Sequence, residues 1–177
     1  MKKNIALIAV LIIAAAALSY FFKIETTGRY YGGESPLWES GPSAVLSIEC
    51  GAAADNRGEL PPELRDERYV PADGYILAPT KLALAEGESA YDLLMKAARY
   101  YEISVDAQGS GENSLGTVYI RGINQLYEFS AGELSGWTYS VNGELPGVGC
   151  DELELSDGDE VRFIYTLDIA SPEVDEQ

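Results

Sequence analysis

Histidine is absent from this 177-residue chain, and its absence excludes Ser-His-Asp and Cys-His catalysis, His-ligated zinc and histidine axial ligation of a haem or corrin. The formal charge near neutral pH therefore depends on no histidine proton. Basic residues are scarce as well: 12 Lys and Arg stand against 29 Asp and Glu, a net charge of −17. Three of the 12, Lys2, Lys3 and Lys23, precede Ile24, so the rest of the chain carries nine basic residues, all 29 acids and a net of −20. Such a surface repels nucleic acid and anionic headgroups. Carboxylates alone can run glycoside hydrolysis, but no acidic pair here sits in a recognisable active-site context. No catalytic residue and no metal ligand set is expected, since Asp151, Glu152, Asp157, Asp159 and Glu160 lack the twelve-residue spacing of a calcium loop.

What is there begins with an apolar run from Ile5 to Phe22, broken only by Ser19 and Tyr20 and preceded by Lys2 and Lys3. It reads as a membrane-directed helix over residues 1–22. Its length just reaches that of an uncleaved anchor, while Ala17-Leu18-Ser19 offers a cleavage site for a secretory signal. The first reading gives a single-pass protein at the cell membrane, N-terminus in and C-terminus out, and the second a secreted one. Both place the remainder outside the cytoplasm.

Residues 23–43, with Gly28, Gly32, Gly33, Pro36, Gly41 and Pro42, read as a flexible linker whose Tyr30, Tyr31 and Trp38 either lean on the domain or membrane or bind a partner. A domain is expected over 44–168 and an acidic disordered tail over 169–177. Within the domain, Ala44–Cys50 alternates as a strand, and Gly51–Gly74 is long, charged and proline-containing, a candidate lid or binding loop. Tyr75–Ala85 reads as an edge strand with Pro79. Ser89 and Asp92 form a capping box for a helix whose stripe is Ala90, Leu93, Leu94, Ala97, Ala98 and Tyr101. Short strands follow at Ile103–Ala107 and Thr117–Arg121.

The most informative stretch runs from Ser135 to Tyr165. Trp137, Tyr139 and Val141 alternate with Thr138 and Ser140, and Asn142-Gly143 supplies the positive-φ pair of a type I′ turn. After the looser Pro146-Gly147-Val148-Gly149 segment and an Asp157-Gly158-Asp159 turn, Val161, Phe163 and Tyr165 form a second alternating face. Cys50 and Cys150 in an exported domain are expected as a disulfide, with buried thiols as the alternative. A bridge spanning 100 residues would contribute up to about 4.7 kcal/mol through loop-closure entropy.

The order strand, strand, helix, strands gives an α+β class with a β-grasp-like mixed sheet packed on one helix. Tyr75–Pro79, Tyr119–Asn124, Ser135–Gly143 and Asp157–Tyr165 resemble the bacterial domain-of-unknown-function 4430 family, the transcobalamin-like C-terminal domain. In the animal cobalamin carriers a similar domain closes over one face of a corrinoid held by a large helical domain, which this chain lacks. The resemblance implies ligand contact at Trp137, then Tyr139 and Asn142. The alternatives are core positions for both aromatics and a purely turn-forming role for Asn142. The expectation is thus a membrane-tethered, non-catalytic, extracytoplasmic binding module with no resident cofactor. Its partner would be a cobalamin-like small molecule or a surface protein. The competing reading is a structural or adhesive envelope domain with 51–74 as its contact surface.

Overall fold

Two strands that alternate cleanly in sequence, β1 (Ser43–Glu49) and β7 (Glu160–Thr166), lie side by side in parallel at the centre of a four-stranded sheet. Leu46 stands opposite Val161 and Ile48 opposite Phe163. The computed structural model describes residues 37–109, 111–113 and 116–172. The sheet order is β2-β1-β7-β6, with β2 (Tyr75–Ala83) antiparallel to β1 and β6 (Gly136–Val141) antiparallel to β7. Pro79, which cannot donate to a ladder, falls on β2 at an edge of this sheet, as expected. A smaller sheet orders β3 (Val105–Gln108), β4 (Tyr119–Ile123) and β5 (Leu126–Tyr127). The class is mixed α+β, mostly sheet.

The helix is α2 (Ala90–Tyr101), following the one-turn α1 (Gly51–Asp55). Ser89 Oγ accepts from the Asp92 N–H at 3.1 Å and Asp92 Oδ2 accepts from the Ser89 N–H at 3.0 Å, the capping box read from the sequence. Its stripe Ala90, Leu93, Leu94 and Ala97 joins Leu46, Ile48, Trp137, Val161, Phe163 and Tyr165 in one buried cluster. Each buried leucine contributes roughly 1.5–3 kcal/mol. The stripe ends a turn early. Tyr101 is 37% exposed and meets Tyr100 edge to face at 5.0 Å, because Glu102 already takes the left-handed conformation that closes the helix.

The segment 51–74, read from the sequence as a long irregular candidate lid or binding loop, is ordered. It folds as α1 and two 3₁₀ turns, Arg57–Glu59 and Pro62–Arg65, and buries Ala53, Leu60, Leu64 and Val70 in the core. Arg57 and Arg65 act as internal braces. The Arg57 guanidinium donates to the carbonyls of Arg65 and Val70, and Arg65 to those of Leu60 and Gly58, at 2.7–2.9 Å. A planar fork of donors satisfies carbonyls that no helix or ladder reaches. The segment closes at Gly74, with φ +78°, where a Cβ would stand 2.9 Å from the Gly51 Cα. Gly74→Ala combines a left-handed conformation with a backbone clash, and is expected to lower the unfolding free energy by about 2–4 kcal/mol in urea titrations.

On the sheet face opposite α2, Arg162 of β7 holds Glu49 of β1 through a forked pair at 2.9 and 2.8 Å, and Ser47 Oγ donates to the same carboxylate at 2.6 Å. The linker's described end is anchored as well. Leu37 bridges Leu82, and the Lys81 ammonium sits 3.7 Å from the centre of the Trp38 ring, so this aromatic leans on the domain. The expected disulfide is absent. Cys50 and Cys150 are both free and buried: Cys50 stands at the N-cap of α1 and its N–H donates to the Gly74 carbonyl, and the Cys150 carbonyl accepts from the Tyr91 N–H at the start of α2. The expected membrane segment over 1–22 lies outside the described residues, as does most of the acidic tail. Among the described residues no helix is long and apolar enough to cross a membrane.

Candidate functional site

Strand β6 has β7 on one side and, among the described residues, no ladder partner on the other. The phase of its hydrogen bonds follows from the Asn142 N–H, which donates to the Glu160 carbonyl at 2.8 Å. Even-numbered residues of β6 therefore bond toward β7, and the backbone groups of Trp137 and Tyr139 point outward. There they face a cleft of about 560 Å³ whose other wall is Thr117–Ile120, running into β4. Residues 145–150 form a third side, with Ile169 and Pro172 at the rim.

Three contacts fix the loop 145–152 in place. The Tyr139 hydroxyl donates to the Val148 carbonyl at 2.8 Å. Asp151 Oδ1 accepts from the Val118 N–H at 2.9 Å and, at shorter range, from Thr117 Oγ1. Gly149 lies so close to the Thr117 side chain that a Cβ there would collide with it, so only glycine fits. The loop's apolar side chains are left outward, Leu145 at 43% and Val148 at 48% exposure.

The structure brings two of the three sequence-chosen ligand positions to this cleft. Trp137 forms its floor at 4% exposure, donates from Nε1 to the Leu126 carbonyl at 2.8 Å and meets Tyr165 edge to face at 5.3 Å. Tyr139 stacks on Phe163 at 5.8 Å. Both are thus core residues by packing and cleft residues by position. Asn142 stands apart: it takes φ +52° in the turn, donates to Asp159 Oδ1 and accepts from the Glu160 N–H. The walls that sequence reading missed, Thr117–Ile120 and Leu145–Val148, carry no periodic signal that pairs them.

Two phenols and a thiol at the cleft are held in their neutral forms. Burial, and then the neighbouring Cys150, Asp151 and Glu152, pushes the Tyr139 phenol up to about 12. Burial and a 2.6 Å hydrogen bond to Glu128 do the same for Tyr119, and burial and Asp151 for the Cys150 thiol. For Asp151, burial opposes ionisation, but the bonds from Thr117 and Val118 outweigh it and hold the carboxyl below its usual range. What the cleft offers is aromatic surface, hydroxyl groups and a strand edge. A second cavity of about 580 Å³ on the Glu49–Arg162 face contains none of the sequence-chosen ligand residues. Among the described residues no group of three or more Cys, Asp or Glu is disposed to hold a metal ion.

No curated protein matches this chain. Among solved structures, a "putative metal binding protein" from Ruminococcus gnavus is similar at 12% identity and a TM-score of 0.46, over 71% of this chain and 97% of that one. Residues 87–166, from just before the cap of α2 to the end of β7, match the family described as domain of unknown function (DUF4430), the family that the tryptophan hairpin and the acidic glycine turn resemble.

Proposed function

We propose that this chain is a non-catalytic binding module that takes its ligand in the cleft between β4 and β6, held outside the cytoplasm by the apolar segment 5–22. The observation that carries the reading is the cleft itself: its volume is that of small-molecule and peptide sites, and Trp137 and Tyr139 line it beside exposed Leu145 and Val148. A thiol and phenols kept protonated at neutral pH favour holding over nucleophilic or acid–base work. The sheet order with α2, the one long helix among the described residues, supports a β-grasp-like arrangement, and with it the transcobalamin-like version in which a planar corrinoid lies against Tyr139. Contact through 51–74 is less favoured, because its apolar side chains face the core. Calorimetric titration of the full-length chain in detergent with cobalamin and cobinamide tests the corrinoid version. Saturable binding weakened in Tyr139→Ala is expected, and no heat at millimolar ligand removes it.

A further inference from the structure

We propose that the turn 128–135 is a docking knob for a second protein: Phe129 and Leu134, with Ile169 beside them, enter an apolar pocket whose rim carries Lys or Arg. This knob adds an interaction surface to the ligand site described above and does not depend on it.

Three observations converge on it. First, Phe129 and Leu134 are the most exposed large apolar side chains among the described residues, at 62% and 55%. Ile169, 39% exposed, stands with them: the Phe129 N–H donates to the Ser135 carbonyl at 2.8 Å, and the Ile169 N–H donates to the Leu134 carbonyl at 2.9 Å. Single exposed apolar residues are ordinary, but three on adjoining backbone make the kind of patch that marks an interface. Second, the knob is strained and firmly held. Phe129 takes φ +66°, which a bulky residue rarely adopts, whereas the other non-glycine residues with positive φ among those described, Glu102, Asn124, Gln125 and Asn142, are all polar. Below it, the buried Ser135 ties the turn down. Its Oγ donates to the Gly132 carbonyl at 2.8 Å, accepts from the Ala131 N–H at 3.1 Å and lies 3.0 Å from the buried Tyr165 hydroxyl. The turn thus holds an aromatic ring in water on a backbone that glycine would fit better. A ring that takes no part in the core is explained by a partner that covers it.

Third, the charge around the knob selects the partner. Glu133 within the turn and Asp168 next to Ile169 enter no ion pair among the described residues. From Gly122 to Val161 the chain holds nine acids and no Lys or Arg, and none follows Arg162. Arg162 is forked to Glu49, and Arg121, beneath the turn, pairs with Glu128 at 3.5 Å. An anionic membrane surface or a second copy of this acidic face is repelled. A basic rim is steered in, by an attraction that weakens as salt rises.

The test pans a displayed library of random dodecapeptides on the full-length chain in phosphatidylcholine nanodiscs, and repeats each binding measurement on Phe129→Gly. Glycine removes the ring and suits the left-handed backbone, so this variant should keep the wild-type urea midpoint while losing its binders. The expected peptides combine apolar side chains with Lys or Arg and shift the Leu134 and Ile169 methyl signals in NMR. They bind Phe129→Gly about tenfold or more weakly, and bind the wild type less well in high salt. Glu133→Gln combined with Asp168→Asn should flatten that salt dependence. Peptides that bind Phe129→Gly as well as the wild type, or a library yielding none at the knob, overturn the proposal. A markedly lower urea midpoint for Phe129→Gly assigns the ring to folding and overturns it as well. Two other occupants are told apart by the same signals. A spin-labelled lipid that broadens the Leu134 and Ile169 methyls in the peptide-free chain assigns the knob to the bilayer, and self-association that Phe129→Gly removes assigns it to a second copy. Either result overturns the partner proposed. Cobinamide binding, which tests the cleft, should be the same in Phe129→Gly, so each of the two readings can fail alone.

Discussion

Truncating Trp137 to alanine is expected to lower the unfolding free energy by about 3–5 kcal/mol, the range for removing a large aromatic from a packed core. The indole is 4% exposed, packs edge to face on Tyr165 and satisfies the Leu126 carbonyl, so three separate contributions vanish together. Trp137→Phe separates them. Most of the packing is retained, but the carbonyl loses its partner, at a cost of about 1–3 kcal/mol. Urea unfolding followed by far-UV circular dichroism gives both values. A loss under about 1 kcal/mol for the alanine variant would mean that the indole serves the cleft and not the core.

Arg162→Ala is expected to cost about 3–5 kcal/mol near neutral pH, because it leaves the Glu49 carboxylate charged and only 15% exposed beside an empty space. The pH dependence carries a sign. Burial alone would raise the Glu49 pKa, but the hydrogen bonds from Arg162 and Ser47 and the charge of Arg162 outweigh it, so the folded value lies below the ordinary 4.5. A depressed carboxyl contributes stability that is present above its unfolded pKa and is lost as pH falls through the folded one. The wild-type protein should therefore weaken in acid below about pH 4.5, and the gap to Arg162→Ala should narrow over the same window as Glu49 takes up a proton. Urea midpoints between pH 3 and 7 measure both curves. A gap that stays constant to pH 3 would remove Glu49 as the cause.

The elements that the sequence made legible are those whose signal is local. The Ser89–Asp92 box, the helical stripe as far as Ala98, the Asn142-Gly143 turn and the alternation of Val161, Phe163 and Tyr165 each lie within a few residues, and each has its counterpart in the structure. The segment 51–74 was opaque because Ala53, Leu60, Leu64 and Val70 follow no period, and because Arg57 and Arg65 look solvated until the carbonyls they brace are in place. The cleft was half legible. Alternation puts Trp137 and Tyr139 on one face, but the wall at Thr117–Ile120 arrives through the tertiary approach of another sheet. The cysteines show the same limit, since their count suggests a bridge whereas the structure holds both as free, buried thiols.

The parallel pairing of β1 with β7 places a strand beginning at Ser43 beside one ending at Thr166. During synthesis the β1–β2 hairpin waits with one flank bare until nearly all of the domain has been made, and closure over so long a separation is slow. It also follows that a fragment cut to residues 87–166 would strip β7 of its central neighbour, so the span by which relatives are recognised is shorter than the span that can fold.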